Sequence, residues 1–375
     1  MKAFIRTISL ILAMAVAGCG GSSSSTTIST PIAFLYVIGQ GSNSIQAFKE
    51  VPNGEISGQP ISSFSTSPIP VAMVLHPSKN FVYVANSTSN RVTGYSLNHS
   101  TGVLTPVGTA ITPTPVGTNP VGLGVSPNGQ FLFVLNQGSA NISVFSIDTA
   151  RGLLTEIAGS PFAVPATAKF ITVSPVANFV YLSNGSAGTI SVFSFGSGGA
   201  LTEITGSPFS SPAGANIPNI AGTTIDATGQ FLYAADSANN GVAAFSIAAS
   251  GGLTPVAAKP FPAGTQPVAV AVDSTGTLLY SANFGSNDVS AFKVSSGMLT
   301  AVAGSPFATA GSGVIDASQP VFLTVDPTNG FLYVANQGSR SIAAFTIKAS
   351  DGTLSFVTNP PLSQSFPPTW LLSTR

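Results

Sequence analysis

Charge, cysteine and histidine are all scarce in this chain of 375 residues. Only 6% of positions carry a charge, against about a quarter in an ordinary soluble domain. Twelve scattered cations cannot form the basic stripe that neutralises phosphates, so nucleic acid is excluded as a partner. A single cysteine has no partner within the chain, which excludes a disulfide scaffold. Two histidines, His76 and His99, cannot supply the several convergent ligands of a His-based metal centre. No metal or other cofactor is expected. No serine occupies a Gly-x-Ser-x-Gly elbow behind a strand, and helical periodicity is absent throughout. What remains is 44% hydrophobic, with 25 Phe, 39 Gly and 28 Pro, which is ample for a core and against disorder.

The N-terminus reads as an address. Lys2 and Arg6 precede an apolar stretch from Ile8 to Ala17, too short for a bilayer core that needs about 20 residues. It ends in Val16-Ala17-Gly18-Cys19, which resembles a bacterial lipobox; the resemblance implies cleavage before Cys19 and lipidation of its thiol. The expected segments are a signal peptide over 1–18, a lipidated Cys19 with a Gly/Ser/Thr tether over 19–31, and a folded body over 32–375. A tether of that composition behaves as a flexible coil. Cleavage leaves ten cations against twelve acids, a net charge of −2. Gly20 after the cysteine, by the same resemblance, favours the outer membrane. The membrane is therefore an expected partner and the cell envelope the expected location.

The body repeats. Phe34-Leu-Tyr-Val37 returns at Phe81, Phe131, Phe179, Phe231, Leu278 and Phe331, at intervals of 47, 50, 48, 52, 47 and 53 residues. Such a period suits one four-stranded propeller blade per unit. In residues 120–157 the strands are Pro120–Val125, Phe131–Leu135, Asn141–Ile147 and Gly152–Ile157, with turns at Ser126-Pro127-Asn128-Gly129 and Asn136-Gln137-Gly138-Ser139. First strands begin at Pro70, Pro120, Ala168, Ile220, Pro267, Pro320 and Pro368. The last has no strands after it, while the N-terminal Phe34 unit has no first strand before it. The two fragments predict an all-β, seven-bladed propeller whose ends share one blade, so that no sheet edge is left open. Strands of about five to seven residues argue against an outer-membrane barrel, whose strands need about 9–11.

Tyr83-Val84-Ala85-Asn86 and Tyr333-Val334-Ala335-Asn336 resemble the YVTN-type propeller repeat. With Ser126-Pro127-Asn128-Gly129-Gln130-Phe131-Leu132-Phe133-Val134, the chain from 34 to 375 resembles the seven-bladed lactonase family that includes bacterial 6-phosphogluconolactonases. The resemblance implies histidines and an arginine near the start of the inner strands, at the channel mouth. The matching positions here are Ala72, Gly122, Phe170, Gly222, Ala269, Phe322 and Trp370, preceded by Val71, Val121, Lys169, Ala221, Val268, Val321 and Thr369. No histidine is among them, and Lys169 is the only charge.

His76 shares its slot with Ser126, Ser174, Asp226, Asp273 and Asp326, which marks all six as turn residues rather than metal ligands. The same logic makes Asn86, Asn136, Asn184, Asp236, Asn283 and Asn336 formers of Asx turns. His99 is expected in a solvated loop. Phe170, Phe322 and Trp370 break the repeat by enlarging an Ala/Gly position. Together with Lys169 they are the candidate contacts for a glycan, small-molecule or protein ligand, or else a plug in the channel. Loops Pro212–Asn219 and Thr309–Gln319 also depart from the pattern. The expected function is an envelope-anchored, non-catalytic binding module; a lactone hydrolase and a structural or adhesive surface protein are the alternatives.

Overall fold

The computed structural model describes residues 33–39, 41–108, 114–212, 219–310, 318–357 and 361–374. The signal segment, Cys19 and the tether lie outside them, as do residues 213–218 and 311–317 of the two atypical loops. Among the described residues every regular element is a strand. They form seven antiparallel sheets in which successive strands are neighbours. The inner strands follow one another around a ring, and Pro368–Thr374 touches both Pro70–Leu75 and Pro320–Val325, which closes it. We number the blades from the closing one: blade 1 joins Ala33–Gly39, Ser44–Glu50 and Ser62–Ser65 to Pro368–Thr374, and blades 2 to 7 begin at Pro70, Pro120, Phe170, Ile220, Pro267 and Pro320.

The shared blade predicted from the two incomplete repeats is present. Leu35 pairs with Ser373 and Val37 with Leu371, antiparallel. Ser373 donates a hydrogen bond to the carboxylate of Glu50 at 2.8 Å, and Glu50 is only 2% exposed. The outer strands differ from expectation. In blades 2 to 7 each is broken into two pieces that pair with opposite halves of the third strand. In blade 3, Leu154–Glu156 pairs with Phe145–Ile147, and Phe162–Ala163 pairs with Asn141–Ile142. Between the pieces, Ser160 substitutes a side chain for the missing backbone acceptor: its Oγ receives Val144 N–H at 3.0 Å and donates to Glu156 at 2.8 Å. Ser207 and Ser305 accept from Val192 and Ala291 in the same way.

The repeated Phe-x-Tyr phrase joins five of the seven blades to the next; in blade 3 the tyrosine is replaced by Phe133. Tyr83 donates from its hydroxyl to the carbonyl of Gly152, in the hairpin between third and fourth strands of the following blade, at 3.0 Å. The Phe81 ring covers the Cα of the same glycine. Tyr36 with Gly102, Tyr181 with Gly251 and Tyr280 with Gly352 repeat this arrangement, and Tyr333 with Gly54 carries it across the closing seam. The glycine is required twice over: Gly152 has φ +73°, and a Cβ there would meet Phe81 Cδ1 at 2.5 Å. Gly152→Ala should therefore cost about 2–4 kcal/mol in urea-unfolding measurements. Gly196→Ala, where a Cβ meets nothing, should stay within about 0.5 kcal/mol of the parent.

Blade 6 breaks the pattern for a local reason. Its hairpin is a two-residue turn at Ser296 (φ 48°) and Gly297 (φ 78°), shorter than the others, with Ser295 paired to Met298. The preceding Tyr233 hydroxyl is buried and without a partner. All seven tyrosines of the chain are fully buried. Burial holds each phenol above its ordinary pKa, and at Tyr333 the neighbouring Glu50 carboxylate adds to the effect.

Candidate functional site

The inner strands ring the channel, and their first residues form one of its ends. Their composition follows from the crowding there: Ala72, Gly122, Gly222 and Ala269 keep the ring tight, while three blades substitute an aromatic at the same place. Phe170, Phe322 and Trp370 are each half-buried. Trp370 stacks on Phe322 with ring centroids 4.1 Å apart and planes 23° apart. It also stacks on Phe170, at 5.8 Å and 19°. Blades 7 and 1 are neighbours, so the first contact is lateral. Blade 4 lies across the ring from blade 1, so the second contact spans the hole. The three residues named from the broken repeat therefore form one aromatic bar across the channel. Trp370 also packs on the cores between blades 1 and 2 and between blades 2 and 3. Offset stacking of this kind adds about 0.5–1.5 kcal/mol per pair beyond burial.

Lys169 does not join the bar. It is exposed, and its stem lies over Gly185 of its own blade, where an added Cβ would meet Cδ at 2.8 Å and Nζ at 3.2 Å. The remaining residues beside the aromatics are Val71, Val121, Ala221, Val268, Val321 and Thr369; Thr369 donates to the Ile38 carbonyl at 3.4 Å. This end of the channel thus offers aromatic faces, small apolar side chains and one displaced ammonium. Among the described inner-strand residues at this end, none carries a side chain able to act as a general base at neutral pH.

The other candidates are structural. His76 is 3% exposed in the turn after the inner strand of blade 2, at the opposite end of the ring. Its Nδ1 pairs with Ser78 Oγ at 2.7 Å and its Nε2 with the Gly129 carbonyl of the next blade at 2.8 Å. His99 is in an exposed loop, 3.4 Å from Asn80 Oδ1. Asp226 Oδ1 accepts from the N–H groups of Gln230 and Phe231 at 2.9 and 2.8 Å, and its other oxygen accepts from the Thr228 hydroxyl. Asp273 and Asp326 repeat this with their own turns. Among the described residues no three His, Cys, Asp or Glu are gathered as a metal site.

The asparagines act differently from the Asx turns expected of them. Asn136 Nδ2 donates to Asn141 Oδ1 at 2.9 Å and Ser143 Oγ at 3.0 Å, and Asn184 and Asn283 reach Ser191 and Ser290 at 2.9 Å. They bolt the second strand to the third side chain to side chain. The Asn-x(6)-Ser/Thr spacing is visible in the sequence and was the signal for it. The Phe/Tyr–Gly joint was signalled too, by the glycine that recurs in every hairpin between third and fourth strands.

Comparisons with known proteins agree with this architecture. The family model described as lactonase, seven-bladed β-propeller, matches residues 11–116, 33–170, 211–320 and 306–374. Among solved structures, a Bacteroides fragilis protein named as a candidate 6-phosphogluconolactonase superposes with a TM-score of 0.76 at 21% identity, over 94% of this chain and 99% of that one. The periplasmic gluconolactonase of Pseudomonas aeruginosa gives 0.74 at 20% identity, over 92% and 99%. A Lactobacillus plantarum protein gives 0.73 at 17%, over 92% and 100%. At these identities the likeness concerns the fold. No curated protein matches by sequence.

Proposed function

The chain belongs to the lactonase family of seven-bladed β-propellers, and from that premise we propose that it is a non-catalytic binding module held at the cell envelope by a lipid on Cys19. Its ligand, a glycan, small molecule or protein, docks at the aromatic end of the channel. One observation carries this reading: Trp370, Phe322 and Phe170 stack on one another at the strand positions where the family resemblance implies histidines. Aromatic faces bind sugar rings and apolar side chains, and they do no proton transfer. A sugar phosphate would need several cations, and the inner-strand starts carry Lys169 alone.

The names of two similar structures, a candidate 6-phosphogluconolactonase and a periplasmic gluconolactonase, make sugar-lactone hydrolysis the second reading. Both readings meet in one assay. Residues 20–375 are incubated with glucono-δ-lactone and with its 6-phosphate, and acid release is followed against buffer. The expected result is no acceleration, together with a ligand-dependent rise in melting temperature in an oligosaccharide and peptide screen. Turnover that disappears in Lys169→Ala replaces the binding module with a hydrolase.

The anchor has its own test. Bacteria grown with labelled palmitate should label this protein, and Cys19→Ser should abolish the label. Undiminished label in the variant removes the anchor.

A further inference from the structure

On the far side of the aromatic bar the channel opens into a cavity of about 300 Å³. Its walls are the second halves of the inner strands of blades 3, 4 and 5, with Val74 of blade 2, and Phe170 from the bar is part of its lining. Two local features leave the space. Gly122 and Gly124 lie tight against Ile171 and Val173, where added Cβ atoms would come within 2.7 and 2.4 Å of their methyl groups, so blade 3 brings side chains to the cavity only from Leu123 and Val125. The inner strand of blade 4 is also short, running only from Phe170 to Val173.

The lining has a definite chemistry. No ionisable residue contributes to it. The polar groups are threonine hydroxyls: Thr172 Oγ1 lies 2.7 Å from Thr223 Oγ1 and 3.1 Å from the Thr223 carbonyl, and Thr224 is half-exposed beside them. A hydroxyl pair keeps unused acceptor capacity when one member donates to the other. At the rim, the turn of blade 4 reads Ser174-Pro175-Val176-Ala177, where neighbouring turns carry Asn128-Gly129 or Thr228-Gly229. Val176 is 59% exposed there, the most exposed of the large apolar side chains among the described residues.

We infer that this cavity is a second binding site, for an uncharged planar ring compound such as a two-ring aromatic, with its ring against Phe170 and a hydrogen-bond donor toward the Thr172–Thr223 pair. An ion would be stripped of water with nothing to pair it, whereas a neutral ring loses only apolar hydration. The volume falls at the small end of ligand pockets, about 300–1,000 Å³, which suits two rings and not a polymer. The site goes beyond the function proposed above: it lies on the other side of the bar from Lys169, and the two share only Phe170.

The chain supplies its own reporter. Trp370 is the only tryptophan and is stacked on Phe170, so energy transfer from it reports an aromatic ligand in the channel, and the cavity-filling variants assign it to this cavity. The probe is N-phenyl-1-naphthylamine, a neutral two-part aromatic amine, titrated into the protein with its anionic sulfonate analogue in parallel. The neutral probe should bind saturably with loss of tryptophan emission, and the sulfonate should bind at least about tenfold more weakly. Thr224→Phe and Val74→Phe, which fill the cavity from two walls, should each lower affinity by about tenfold or more, while Lys169→Ala leaves it unchanged. A circular-dichroism melt shows which filling variant is folded, and one suffices. Failure of the neutral probe to bind, equal binding of the sulfonate, or undiminished binding in a folded filling variant overturns the assignment. None of these outcomes bears on lactone hydrolysis, which the mouth assay decides.

Discussion

Above about pH 10 the protein is expected to show no tyrosinate until the fold fails, and then all seven phenols together. The ordinary tyrosine pKa is about 10, and burial raises every one of the seven in the folded state. Between those two values the folded chain keeps its phenol protons while the unfolded chain loses them. The folded state then binds more protons, so stability falls as pH rises; below the ordinary pKa there is no such loss. Each of the six most strongly shifted phenols contributes about 1.4 kcal/mol per pH unit once the unfolded form is ionised, so together they remove roughly 8 kcal/mol by about pH 11. A domain has a total of about 5–15 kcal/mol. Tyrosinate absorbance and far-ultraviolet circular dichroism, followed against pH, should therefore change in one coincident step. Several phenols ionising near pH 10 with the sheet signal intact would contradict the joint described between Tyr hydroxyls and hairpin glycines.

Deleting residues 366–375 should leave no monomeric folded protein. The deletion takes away the inner strand of blade 1, including Leu371, which is 1% exposed, and Trp370 from the channel bar. It uncovers Ala33–Gly39, in which all seven residues are buried, as an unpaired edge. It also leaves the buried carboxylate of Glu50 without the Ser373 hydroxyl. A broken buried polar pair alone costs about 1–3 kcal/mol, more where the group is charged. A bare hydrophobic edge then invites pairing between molecules. Size-exclusion chromatography of the shortened chain should show aggregates. A circular permutant that links 375 to 33 and opens at the exposed hairpin near Gly198 should stay monomeric, because it keeps the pairing and moves only the ends. A truncated chain that melts like the parent would refute the clasp.

Blade number and clasp were legible because each is a matter of counting along one dimension: the Phe-x-Tyr phrase has a period, and the inner-strand pattern at Pro368 has no successor. Loop residues such as Ser126 and Asp273 were legible because a capped turn is a local event. The aromatic bar was half legible. Phe170, Phe322 and Trp370 stood out as large residues at a small position, but only the ring brings blade 4 opposite blade 1. Lys169 was tied to them by adjacency in sequence, yet its neighbour in space is Gly185. The cavity beyond the bar was illegible, since it forms where the second halves of several inner strands meet around the ring rather than from any motif. The split outer strand was missed because Ser160 does the work of a backbone acceptor, which no alternation of apolar residues announces.

The carboxylate at residue 50 also decides which strand can finish the circle. Its place in the third strand is taken elsewhere by Leu97, Ile147, Phe195, Ile247, Val294 and Ile347, and the residue facing it from the inner strand by Leu75, Val125, Val173, Ile225, Val272 and Val325. Among these seven inner-strand residues, only Ser373 carries a hydroxyl to donate. Wedges this alike risk annealing to the wrong neighbour, or to the head of another molecule, during assembly. An acid that accepts one hydroxyl-bearing tail and penalises six greasy ones works as a keyed joint: the polypeptide spends some oiliness at a single seam and gains an unambiguous order of closure.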